Sequence, residues 1–181
     1  MLHSGWRGRL STEDERVAKL TRDEQAFLEE FERMLREGGL HPALALLNER
    51  TPHRFTGVYL FDPPIARNVG LFDRENRSLE MRNDAPMRET YCSIMGETGR
   101  AFCTADTLHD ERVADHPARE SVQSYMGTPL RRATRVGGSL CHFDFVPREP
   151  ADGDYPMLDQ AARLIVDWLD GSDAWPASRR G

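Results

Sequence analysis

The segment Gly137-Gly138-Ser139-Leu140-Cys141-His142-Phe143-Asp144-Phe145 sets a thiol, an imidazole and a carboxylate inside an apolar, strand-like run. A deprotonated thiol is a nucleophile and a metal ligand. An imidazole carries protons near neutral pH. Two more thiols, Cys92 and Cys103, stand upstream, and with Cys141 they form a possible redox set. No two of them have CxxC spacing, so no metal site is assigned. Paired carboxylates beside a base are not evident, nor is a nucleophile elbow. Gly96-Glu97-Thr98-Gly99 lacks the strand-to-helix context of a phosphate cradle.

Neighbours along a strand point to opposite faces. Ser139, Cys141, Phe143 and Phe145 therefore share one side, and Leu140, His142 and Asp144 the other. Cys141 and His142 are not expected to ligate one metal together. One side should meet flanking helices and the other a pocket. Each residue also has a purely structural reading. Cys141 can be a small buried hydrophobe, Asp106 the cap of the turn that follows it, and Asp144 a tie for the turn at Pro147. A histidine costs more to bury than a valine, so His142 calls for a partner or a ligand. Tyr91, Cys92, Asp106, Tyr125 and His142 are the candidate ligand contacts. His109 and His116 lie in a polar segment and are expected in solvent.

These groups must be positioned by an α+β frame. Residues 11–37 repeat apolar side chains (Val17, Leu20, Phe27, Leu28, Phe31, Met34, Leu35) at helical spacing, with Ser11 or Thr12 as cap and Gly38-Gly39 as stop. Glu15/Lys19, Glu29/Arg33 and Glu32/Arg36 have acid-first ion-pair spacing. The stripe suits either the chain's own sheet or a partner helix. A short helix follows, ended by Pro52. Residues 54–62 read as a strand, as does the stretch from Asn68, with a turn at Arg74 to Asn76 and a short partner. Residues 87–99 read as helical or irregular, 100–106 as a strand, and 108–122 as a broken helix. A hairpin is expected over 123–133 and 137–146, turned near Arg135 to Gly138. Asp154 caps a last helix, with Pro156 in its first turn and Gly171 as stop. Residues 1–10 and 171–181 read as a flexible lead and tail around one domain, 11–170.

The chain of 181 residues carries a net charge of −6, which disfavours nucleic acid and anionic membranes as partners. No apolar run approaches the ~18 residues that span a bilayer. The first ten residues lack the apolar core of a secretory signal. With three cysteines, an odd number, this points to free thiols in the cytoplasm. Lys19 is the single lysine among 24 basic residues, a bias that carries no functional reading.

The stretch from Thr90 to Pro117 resembles the GAF-domain segment in which a helix bearing Cys-Ser leads to a short strand ending in Asp and then to an xDxRxxxxP motif. Ser124 to Leu130 resembles that family's YxGxPL strand, and Gly137 to Glu149 its GxLCxxDxxPR strand. The resemblance covers roughly residues 40–170. It implies a PAS-like antiparallel sheet of five or six strands, with terminal helices on one face and a ligand pocket on the other. It further implies a sensor that binds a small polar molecule or anion beneath segment 83–122. With no room for an output domain, such a sensor acts through a homodimer or a signalling partner; no obligatory cofactor is implied. A thiol redox sensor and a non-binding dimerisation module are the other readings. One family branch reduces free methionine sulfoxide with cysteines in its pocket lid, one of them beyond the Asp-ending strand. Here residues 107–122 contain none. The Cys-His-His strand of bilin-binding members is echoed, but Phe143 replaces the second histidine.

Overall fold

The computed structural model describes residues 20–172 and 175. Helix α1 (Arg22–Gly38) begins one residue after Thr21. The Thr21 side chain accepts from the Glu24 amide at 3.2 Å, and the Glu24 carboxylate accepts from the Thr21 amide at 2.8 Å, so two orphan donors are satisfied together. The expected caps Ser11 and Thr12, Val17 and the pair Glu15/Lys19 lie outside the described residues. Arg33 pairs with Glu30 and Glu37 rather than with Glu29. Gly39, at φ 79°, ends α1 and starts α2 (Leu40–Asn48). Phe31 and Leu35 are buried against the chain's own core, each burial stabilising by about 1.5–3 kcal/mol. The stripe of α1 is thus a core face.

Strands β1 (Phe55–Asp62) and β2 (Ile65–Asp73) form a hairpin around Pro63-Pro64. Residues 74–84 do not return as a strand. The short partner of β2 is β3 (Ala85–Pro86) instead. A 3-10 turn (Met87–Glu89) leads to α3 (Cys92–Thr98), stopped by Gly99 in the left-handed region at φ 64°. β4 (Phe102–Thr104) is followed by two 3-10 turns, Thr107–His109 and Glu111–Val113.

β5 (Ser124–Arg132) and β6 (Arg135–Asp144) turn at Ala133-Thr134. The expected turn at Arg135 to Gly138 is therefore displaced, and both glycines lie within β6. Gly138 is small because β1 passes close by: a Cβ there would clash with the Tyr59 carbonyl oxygen.

The sheet runs β3-β2-β1-β6-β5-β4 with antiparallel neighbours throughout, the α+β, six-stranded arrangement expected. Helix α4 (Asp154–Asp170) starts after Gly153, and the Asp154 carboxylate accepts from the Ala151 amide at 2.9 Å. α2 and α4 cover one sheet face through Val58, Leu60, Met126, Leu130 and Leu140, and α1 packs on those two helices. Trp175, within the expected tail, packs on that core, and its ring closes over Gly137. The opposite face is covered by α3 and the short turns between residues 85 and 122.

Candidate functional site

Three central strands build the floor beneath α3. Cys141 of β6 pairs with Gly57 of β1 on one side and Gly127 of β5 on the other. Neither glycine has a side chain to stand beside the thiol, and tyrosine rings fill the space. A Cβ on Gly57 would lie 3.1 Å from Tyr59 Cε2. One on Gly127 would lie 2.7 Å from both Tyr125 Cε1 and the Tyr125 hydroxyl. The rings fold back along their own strands over the glycines flanking Cys141.

Helix α3 delivers the second thiol from above. Cys92, its first residue, sets Sγ 3.2 Å from Ser139 Oγ and 3.8 Å from the Tyr125 hydroxyl. Ser139 stands two residues before Cys141 on the same face of β6. The Cys141 thiol lies 3.7 Å from the Gly57 carbonyl oxygen. Both sulfurs are buried.

Their acidities diverge. The Cys141 side chain lowers the Cys92 pKa to about 7 against the opposing effect of burial, helped by Ser139, Thr90 and Tyr125. Burial and the neighbouring Cys92 push Cys141 up. Burial raises the Tyr125 and Tyr59 hydroxyls likewise. A thiol whose ionised form several donors favour, beside a less acidic one, is an arrangement suited to nucleophilic or redox chemistry at Cys92.

Tyr91, the residue before α3, stacks its ring on His116 at 4.5 Å and meets Tyr125 at 5.3 Å between centroids. Its hydroxyl is buried and makes no hydrogen bond of acceptable geometry. Burial raises its pKa and the nearby Thr107 hydroxyl opposes this. That hydroxyl donates to the Arg119 carbonyl at 2.6 Å. His116 is thus half-buried in ring contact rather than in solvent. Its Nε2 stands 3.5 Å from Ser93 Oγ. Ser93 in turn lines an open, largely apolar groove of about 670 Å³ beside the β1–β2 turn, shared with Phe61, Ile65, Met87, Gly96 and Val136.

The structure divides the expected ligand contacts. Tyr91, Cys92 and Tyr125 meet beneath α3. His142 does not join them, because strand alternation turns it to the helix face. There its Nδ1 lies 2.7 Å from Thr56 Oγ1 and its ring stacks on His53 at 6.1 Å. Burial first, then repulsion from His53 and Arg74 against a second positive charge, drives its pKa well down.

Asp106 caps the first 3-10 turn, accepting from the Leu108 amide at 3.0 Å, and pairs with the exposed His109 at 2.7 Å. Asp144 ties its turn by accepting from the Phe145 amide at 2.7 Å and Arg148 Nε at 2.7 Å. Cys103 packs toward the helix-side core, where burial raises its pKa to about 12. The possible redox set is therefore a pair, with Cys103 apart. Among the described residues no cluster of three or more metal-ligating side chains occurs. Tyr59 went unnoticed in the sequence, although the alternation of Phe55, Gly57 and Tyr59 marks that side of β1.

No family model matches the chain, and no curated protein matches it in sequence. Solved structures match in shape. The GAF domain of an Acinetobacter phosphoenolpyruvate-protein phosphotransferase superposes with a TM-score of 0.68 at 14% identity, covering 88% of this chain and 99% of that one. The chain has the GAF fold. A free methionine-R-sulfoxide reductase from Neisseria meningitidis, solved with its substrate, shares the GAF fold at a TM-score of 0.66 and 17% identity, covering 90% of this chain and 95% of that one. The chromophore-binding domain of a bacteriophytochrome from R. palustris follows at 0.62 and 11%, covering 82% of this chain and 61% of that one. A phosphotransferase GAF domain, a methionine sulfoxide reductase and a chromophore-binding domain thus all stand among the structural neighbours. Among the described residues no helix is long and apolar enough to cross a membrane.

Proposed function

We propose that this GAF-fold chain is a sensory module of signal transduction that binds a small polar molecule or anion between the sheet and segment 85–122. Tyr91, Cys92 and Tyr125 are its contacts, with His116 replacing the expected His142. The observation that carries this reading is the buried Tyr91 hydroxyl without a hydrogen bond. An unpaired buried donor costs about 1–3 kcal/mol, which a ligand acceptor would recover. Binding favours one placement of α3, and the signal passes through the sheet to α1 and α4, and from there to a second copy or a partner protein. The acidic net charge supports a protein partner over nucleic acid or membrane. Three unbridged thiols support a cytoplasmic setting.

A thiol reductase is compatible with the same fold, yet the absence of cysteine from residues 107–122 gives that reading less support. Native mass spectrometry of the purified protein, followed by a thermal-shift panel of polar metabolites and inorganic anions, tests the sensor. Retained mass or a stabilising hit is expected, with affinity about tenfold weaker in Tyr91→Phe, the equivalent of one 1.4 kcal/mol hydrogen bond. A bare mass and a flat panel would reject ligand sensing.

A further inference from the structure

Cys92 and Cys141 belong to different layers, yet both lie in one buried cluster, and the Cys92 sulfur reaches Ser139, two residues before Cys141 on the same face of β6. One opens α3; the other stands mid-strand in β6, paired with Gly57 and Gly127. Ser139 and Tyr125 offer hydroxyls 3.2 Å and 3.8 Å from the Cys92 sulfur. Core packing alone asks for nothing of this kind: a valine or alanine at either position would fill the space without burying four polar atoms together.

We propose that Cys92 and Cys141 form a reversible redox site, closed to a disulfide by small hydroperoxides. The Cys92 thiolate attacks the distal peroxide oxygen. The O–O bond breaks, and the alkoxide leaves as the alcohol, or as water from hydrogen peroxide, taking up the proton that Cys92 had lost. Cys92 is now a sulfenic acid. The Cys141 sulfur attacks the Cys92 sulfur, the S–O bond breaks, and hydroxide departs with the Cys141 proton as water. Both thiols are oxidised by one electron each, and one peroxide is reduced by two. Ser139 and Tyr125 hold the thiolate and then the sulfenic oxygen.

α3 is the gate for this chemistry. It has seven residues, too few to persist without its contacts to the sheet. The disulfide links the first residue of α3 to the central strand and fixes the gate shut. Dithiol reductants reopen it. The site shares Cys92 and Tyr125 with the proposed ligand contacts but does not depend on ligand binding.

The test is intact-mass spectrometry of the full chain under mild hydrogen peroxide, with non-reducing peptide mapping. The expected result is a loss of two hydrogens, a peptide bridge joining Cys92 to Cys141, and recovery with dithiothreitol. The same bridge should form in Cys103→Ser and vanish in Cys92→Ser and in Cys141→Ser. The wild-type peptide map decides without any substitution, should a variant fold poorly. A bridge through Cys103 would overturn the proposal. So would oxygen addition without a bridge, or an unchanged mass under conditions that crosslink the urea-unfolded chain. None of these outcomes bears on retained ligand, so the sensor and the redox site fail separately.

Discussion

The two faces of the central sheet are covered by different kinds of structure. On one side lie α1 and α4, 17 residues each, and α2, 9 residues. Their contacts are mostly aliphatic, with a local polar group in which Asn48 donates to Thr56 Oγ1 at 2.8 Å and Thr51 meets His53 at 2.7 Å. On the other side lie α3, 7 residues, and 3-10 turns of 3 residues. Their contacts are mostly aromatic rings and thiols. Long helices bring many buried contacts that open only with the whole fold, whereas short segments open locally at small cost. The fold therefore separates a layer that stabilises from a layer that responds, and β6 serves both with alternate residues.

The largest expected effect sharpens that separation. Leu140→Ala, facing the long helices, should cost about 2–5 kcal/mol in denaturant unfolding. Cys141→Ala, one residue along and facing α3, should cost less than half as much. Equal losses would erase the distinction between the faces.

Next is acid. Burial lowers the His53 pKa to about 4, partly opposed by the Asp144 carboxylate and reinforced by Arg148 and Arg74. The unfolded chain takes up the proton first, near 6.5. Stability is full above that value, falls as pH drops from about 6.5 to about 4, and levels off for this group below. The loss is on the order of 3 kcal/mol at about 1.4 kcal/mol per pH unit. His53→Asn should flatten the dependence of Tm on pH in that window. An unchanged slope would assign acid sensitivity elsewhere.

The smallest effect belongs to the responsive face. Gly127→Ala would press on the Tyr125 ring and Met95 Cε, and overpacking of this kind costs about 1–3 kcal/mol. It should also lift Tyr125 from Cys92 and speed alkylation of that thiol. Slower or unaltered alkylation would show that the ring does not guard it.

Much of this was legible in the sequence. The stripe of α4, the stop at Gly99, the cap at Asp106 and the tie at Asp144 each rest on local chemistry, which a chain carries with it. Alternation along β6 also held. It sorts residues into two sets but cannot say which set meets which layer. That choice depends on helices far away in sequence, and it put His142 on the other side from Cys92. The glycine pair was misplaced for a similar reason: Gly138 answers the approach of the Tyr59 carbonyl, a neighbour nearly eighty positions earlier, rather than the demands of a turn. His116 looked solvated because its polar surroundings hid its stacking with Tyr91.

The strand order bears on how the protein is made. β1 and β6 lie side by side in the middle, joined by Thr56 and His142 across 86 positions. During synthesis the first hairpin leaves the ribosome with one bare margin and waits for β6 to be translated. The seam between β1 and β6 can close only once β6 has been made, so until then the early helices are the part of the chain at hand to shield that margin.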